Sequence, residues 1–152
     1  FTVHLVGDLH QPLHVGGGGD QGGNFCKVTW HGRATNLHRV WDSDMIDSTD
    51  LSFTELARFA GTGRSSSQST AWRTGSIRDW AAESRRLRGE IYPAEVISPL
   101  APVSKLTYCQ KDVAAEAMPK LGYEYSYRFL PVLYERVYQA GLRLGKLLDE
   151  NL

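Results

Sequence analysis

The sequence predicts a mainly α-helical fold with one short β-hairpin. Three observations carry that prediction. Leu130, Leu133, Val137, Ala140, Leu144, Leu147 and Leu148 recur three to four residues apart, as the apolar face of one long helix does. Residues 2–11, "TVHLVGDLHQ", distribute Val3, Leu5, Val6 and Leu9 around a second helix. A single stretch, "FCKVTW" at 25–30, alternates in the β manner and is followed by "HGR", which can turn it back on itself.

The elements follow in order. Pro12 ends the first helix, because its ring removes a donor and clashes one turn back. "GGGGDQGGN", 16–24, holds six glycines in nine residues and reads as a loop. After the hairpin, Asn36 is a natural N-cap for a helix beginning "LHRVWDSDMI". "SFTELARFAG" predicts another helix with Gly61 as its stop, and "TGRSSSQST", 62–70, predicts a polar loop. Trp72, Ile77, Trp80 and Leu87 predict a helix over 72–88 that carries Arg73, Arg78, Arg85, Arg86 and Arg88. "YPAEVISPLAPV" contains three prolines and reads as a break, and residues 106–118 are expected to be helical. The last helix is expected to start close to Pro131, where proline is tolerated, and to bury its leucines as core.

Composition bounds the function. The 152 residues make one domain, 41% hydrophobic and 22% charged, which is ordinary for a globular chain. No apolar run approaches the length of a membrane span, no signal-peptide pattern opens the chain, and its first residue is Phe1 rather than Met. Net charge is zero, yet residues 1–50 hold six acids against three Lys/Arg. The histidine-rich part is therefore acidic, which suits a cation site and argues against a basic duplex-binding surface. Cys26 and Cys109 show no C-x-x-C spacing; they either pair or are buried thiols, and their separation does not decide which.

The chemistry concentrates in "HLVGDLHQPLH", residues 4–14, which holds three of the five histidines. His4 and Asp8 are i and i+4, one above the other on a helix face. His38 and Asp42 repeat the arrangement on the next proposed helix, and His14 stands just beyond Pro12. Two helices that each present an imidazole and a carboxylate to a common space form a divalent-metal site. Nitrogen and oxygen ligands without thiolate suit zinc in a hydrolytic role.

The ordered motifs "HLVGDLHQPLHVG", "DQGGN" and "TNLHRVWD" resemble the zinc-dependent class I nuclease family, the single-strand-specific nucleases and 3′-nucleotidases. The resemblance is close over residues 3–45. It implies a mainly α fold akin to the zinc-dependent phospholipases C, holding three zinc ions in a cleft. Carried over by motif position, His4 and Asp8 bind one ion, Asp8 bridges to a second, and His14, His38 and Asp42 bind the remaining one. It further implies attack on phosphorus by metal-bound water or hydroxide, cleaving the 3′-O–P bond of single-stranded DNA, RNA and 3′-nucleotides. No side-chain nucleophile is then needed, so Ser43 and Cys26 stay idle. The family's other ligands come from upstream residues. The chain thus corresponds to the C-terminal portion of one nuclease domain, 1–152, and needs an N-terminal segment for the full site. Secretion or a periplasmic location is implied in the same way.

Smaller roles go to other residues. His10 is expected to support the site or pack rather than ligate, and Asn24 to pin the glycine loop. His31 reads as a solvent-facing turn residue, Asp44 as an exposed helix acid, and the arginine helix as a solvated face. Trp30 and Trp41 are expected to pack rather than to stack on bases. Two rival readings remain: a zinc phospholipase C-like hydrolase, and a catalytically incomplete metal-binding fragment.

Overall fold

The computed structural model describes residues 1–16, 19–93, 106–110 and 112–151. The proline-rich break therefore falls outside the described residues except for Tyr92 and Pro93. The architecture is mainly helical with one small sheet. Helix α1 (Thr2–His10) runs into a 3-10 turn at Pro12–His14. Strands β1 (Lys27–Trp30) and β2 (Arg33–Asn36) form the expected antiparallel hairpin, with Lys27 opposite Asn36 and Trp30 opposite Arg33. Its two-residue turn has positive φ at both His31 (47°) and Gly32 (82°), as the right-handed twist of the strands requires. A third strand, β3 (Lys120–Leu121), pairs parallel with β1 and left no pattern of its own.

Asn36 caps the next helix as expected, accepting from Arg39 N–H. The helix is not regular. After α2 (Leu37–Arg39) it widens into a π segment (Val40–Asp44) before resuming as α3 (Met45–Asp47). Helix α4 (Phe53–Gly61) starts on a capping box between Ser52 and Glu55. Within the stretch expected to be a polar loop α5 (Ser66–Trp72) begins instead, because the first of its serines, Ser65, caps it by accepting from Gln68 N–H. The helix expected over 72–88 accordingly begins only at residue 77, and Trp72 ends the preceding helix instead. Gly75, at φ +87°, and a second capping box, Ser76 with Asp79, separate α5 from α6 (Ile77–Ile91). Among the described residues of 106–118 there is no α-helix: Tyr108 C=O accepts from Lys27 N–H at 2.7 Å, which ties that backbone to the start of β1, and the helical turn described there is the 3-10 turn Ala115–Ala117.

Helix α7 (Tyr123–Asn151) is the spine, with α1, α4 and α5 packed along it. It begins well before Pro131, which lies inside it on an exposed position. The expected leucine stripe is also displaced. Leu133 is buried, but Val137 is 39% exposed and Leu148 38%. The ridge that faces inward runs through Tyr125, Phe129, Leu133, Arg136, Gln139 and Arg143. Its first half joins an apolar core of Leu13, Val28, Trp30, Leu37, Val40, Trp41, Met45 and Ile91. Its second half is polar. Arg143 makes a two-pronged pair with Glu83, at 2.6 and 2.9 Å, while Arg136 reaches Glu83 at 2.8 Å and Ser84 Oγ at 2.7 Å. Ser84 in turn donates to Leu9 C=O at 2.6 Å, so this network ties α6 and α7 to the end of α1.

Candidate metal centre

The five residues expected to ligate metal form one continuous cluster. On α1, His4 Nε2 lies 3.2 Å from Asp8 Oδ2, the i, i+4 geometry expected of a helix. Asp8 Oδ1 lies 3.3 Å from His14 Nδ1, which the 3-10 turn after Pro12 brings back toward α1. His14 Nε2 reaches Asp42 Oδ1 at 3.3 Å, and Asp42 Oδ2 lies 2.9 Å from His38 Nε2. The His14 and His38 rings stack, with centroids 5.0 Å apart.

Within this cluster His14, His38 and Asp42 each offer one ligand atom, and all three lie within 4.8 Å of one another. A zinc ion with bonds of roughly 2.0–2.1 Å sets tetrahedral ligand atoms about 3.3 Å apart. The 2.9 and 3.3 Å approaches run to the two oxygens of Asp42 and bracket that edge loosely, and with all three ligand atoms within 4.8 Å of one another the donor set fits the ion. The three side chains are 25%, 23% and 35% exposed, so the site is open on one side.

Charge tells the same story. Asp42's hydrogen bond raises the His14 pKa above the ordinary histidine value despite partial burial, and Asp8 adds to the effect. Burial opposes ionisation of Asp42. Hydrogen bonds from His14 and Gln11, with the charges of His38 and His14, nevertheless hold it below the usual carboxylate range. The two shifts are largely the two sides of one His14–Asp42 pairing, with Asp8 adding a second negative charge beside His14.

The glycine loop explains how His38 is aimed. Its Nδ1–H donates to Gly22 C=O at 2.8 Å, which leaves Nε2 for the cluster. Gly22 and Gly23 adopt φ of +62° and +87°, a conformation that presents that carbonyl without a side chain. Asn24 donates to Gln21 C=O at 2.9 Å within the same loop. Asp20, buried in it, pairs with Arg88 at 2.9 Å and accepts from the Tyr92 hydroxyl.

His10 stands apart from the ligand edge and is 2% exposed. Its Nδ1 donates to Val6 C=O at 2.7 Å, and its Nε2 accepts from Arg143 at 2.9 Å. Burial, with the Arg136 and Arg143 charges acting in the same sense, pushes its pKa down to about 4. Both ring nitrogens are occupied, leaving neither for an ion. Asp44 is a correction: it is 4% exposed, and it pairs with Arg33 at 2.8 Å and Arg39 at 3.3 Å. Its carboxylate clasps the hairpin to the π segment instead of facing solvent. Trp30 and Trp41 are 5% and 2% exposed, and Trp41 donates to the Tyr125 hydroxyl, so neither offers a face to a base. Arg88 and Arg73 are engaged, with Asp20 and Asp149, which leaves Arg78, Arg85 and Arg86 on the exposed face of α6. Cys26 and Cys109 form a disulfide.

Sequence reading missed Gln11, whose amide bridges Leu13 N–H and Asp42, and the Gly22 carbonyl behind His38. A polar residue placed between Asp8 and His14, directly before Pro12, was the available signal for Gln11.

A helical scaffold that gathers two imidazoles and a carboxylate within 4.8 Å of one another offers the nitrogen and oxygen donor set of a candidate divalent-metal site. A family profile described as S1/P1 Nuclease matches residues 1–152, and the chain belongs to that family. It is 36% identical to Endonuclease 3 of Arabidopsis thaliana, over 98% of this chain and 49% of that protein. Endonuclease 4 of the same plant is 34% identical over 98% of this chain and 48% of its own length. Nuclease S1 of Aspergillus oryzae (strain ATCC 42149 / RIB 40) is 32% identical, over 98% and 52% respectively. The chain spans about half the length of the curated relatives it matches.

Proposed function

We propose that the full-length protein is a zinc-dependent phosphodiesterase. Its substrates are single-stranded DNA, RNA and 3′-nucleotides, cleaved at the 3′-O–P bond to leave 5′-phosphates. The observation that carries this reading is the His14–His38–Asp42 cluster, its ligand atoms within 4.8 Å of one another, in a chain of the S1/P1 nuclease family. Those three residues would hold one ion. His4 and Asp8 would contribute to another, with Asp8 placed to be shared because its two oxygens face His4 and His14. Bound zinc supplies Lewis acidity toward the phosphate oxygens and activates the attacking water.

The chain's own residues fix the ligand directions. Gly22 C=O holds the His38 proton on Nδ1, and Asp42 spans the two imidazoles. No side-chain nucleophile is required, and Cys26, committed to its disulfide, is not free to act as one. Family resemblance assigns the remaining ligands to an upstream segment. An apolar hollow of about 290 Å³ beside Asp8 and Asp42, floored by Leu133, Val137 and Ala140, offers a seat for such a segment. The Cys26–Cys109 disulfide supports a secreted or periplasmic location, since such bonds persist in oxidising compartments. Family membership favours the nuclease over a phospholipase C-like hydrolase.

The test is release of 5′-mononucleotides from single-stranded DNA and RNA by the full-length protein, with chelator and after zinc is restored. Activity should disappear with chelation and return with zinc. Turnover indifferent to chelator would overturn the zinc mechanism, and hydrolysis of phosphatidylcholine alone would shift the reading to the phospholipase.

A further inference from the structure

We propose that Gln11 is a positioning residue for the metal site, fixing where His14 and Asp42 stand relative to each other; this rests on the metal-binding reading above. Its side-chain amide spans the two ligand-bearing segments. Oε1 accepts from Leu13 N–H at 2.5 Å, closing the 3-10 turn that carries His14. Nε2 donates to Asp42 Oδ1 at 2.8 Å, across 31 residues of sequence.

Each partner accepts only one end of the amide. A backbone N–H needs an acceptor and an ionised carboxylate needs a donor. Glutamine meets both demands at once. Glutamate would satisfy Leu13 but turn a second oxygen toward Asp42, and an aliphatic side chain would satisfy neither. Backbone geometry aims the amide. Gln11 has φ −81° and ψ 117°, the extended conformation that a following proline enforces.

Placement matters because Asp42 uses both of its oxygens. Oδ2 faces His38 Nε2 at 2.9 Å and Oδ1 faces His14 Nε2 at 3.3 Å. The Gln11 N–H on Oδ1 restrains rotation of the carboxylate about its Cβ–Cγ bond. The same side chain, through Leu13, holds the turn on which His14 sits. Gln11 therefore couples two ligands that are 28 residues apart, His14 and Asp42, with one planar group.

Two substitutions in the full-length protein test this. Gln11→Met keeps the side-chain length and removes both hydrogen bonds. Gln11→Glu keeps the acceptor for Leu13 N–H and replaces the donor to Asp42 with a like-charged oxygen. Zinc affinity is read by competition with a chromogenic chelator, and ligand geometry by visible absorption of the cobalt(II)-substituted protein. Both variants should change the cobalt spectrum, and Gln11→Met should weaken zinc binding by roughly 10- to 100-fold. Wild-type zinc affinity and wild-type cobalt spectra in both variants would overturn the proposal and reduce Gln11 to a turn cap. If Gln11→Met does not fold, the cobalt spectrum of Gln11→Glu decides alone. Asp42→Asn separates this inference from the reading beneath it. A variant that holds zinc like the wild type would remove the metal assignment itself, and the role of Gln11 with it.

Discussion

At the scale of single residues, Gly22 shows how little room the site leaves. Its φ of +62° lies in the left-handed region, and a Cβ built there would meet the Leu13 carbonyl oxygen at 2.7 Å and His38 Nδ1 at 3.4 Å. Backbone oxygen cannot step aside as a flexible side chain can, and Leu13 precedes the ligand candidate His14. The carbonyl of Gly22 is meanwhile the acceptor that orients His38. Gly22→Ala should therefore do two things at once. Stability should fall by about 1–3 kcal/mol from the strained backbone, and zinc affinity should fall because His38 loses its aim. Urea denaturation and a zinc titration on the same preparation check both. Gly7→Ala is the control: it sits in α1 with nothing within 4 Å of the added methyl, and should stabilise by roughly 0.5–1 kcal/mol. Equal behaviour of the two variants would mean that the glycine loop does not hold the shape described.

At the scale of elements, the polar half of α7 governs how α1 and α6 are held. Glu83 is the shared acid, facing Arg136 and Arg143 with its two oxygens, while Arg143 also meets His10 and the Trp72 carbonyl. Removing the acid would leave two guanidinium groups buried at 4% and 2% exposure without their counter-charge. Glu83→Gln should cost about 3 kcal/mol, in the range for breaking a buried pair on one side. The same contact sets a pH dependence. Burial works against ionisation of Glu83, but hydrogen bonds from Arg143 and Arg136 prevail and lower its pKa from the ordinary 4.5. A carboxyl group with a depressed folded pKa binds its proton more readily in the unfolded chain. Its contribution is thus complete above pH 4.5 and is lost as pH falls through the folded value. The urea midpoint should drop on acidification below that pH, and drop less steeply in Glu83→Gln. Parallel profiles would show that the pairing does not stabilise the fold.

At the scale of the whole molecule, what the sequence revealed follows the range of the interactions. The His4–Asp8 and His38–Asp42 pairs were legible because helical geometry makes i and i+4 neighbours, and Asn36 was legible because a cap acts within three residues. Gln11 with Asp42, and Arg143 with Glu83, lie 31 and 60 residues apart, and nothing local announces them. The same blindness displaced the core of α7. Arginine counts as polar, so the leucine ridge looked like the inward one although Arg136 and Arg143 hold that place. The disulfide was undecidable for the same reason, since 83 residues separate its ends, and its consequence is equally global. Cys109 brings residues 106–110 against β1, beside the Lys27–Tyr108 backbone bond. Cys26 donates its N–H to Gly23 C=O and accepts from Leu37 N–H, so the crosslink also anchors the glycine loop and the start of the helix that carries His38. Replacing both cysteines by alanine should cost about 2–5 kcal/mol, chiefly by restoring freedom to the unfolded chain. A reducing agent should lower the urea midpoint of the wild type toward that of the double variant, whose own midpoint should not move. If thiol titration shows full reduction and the wild-type midpoint is unchanged, the crosslink is not what joins the sheet to the candidate metal site. The backbone bonds of Lys27 to Tyr108 and of Cys26 to Leu37 must then carry that connection unaided.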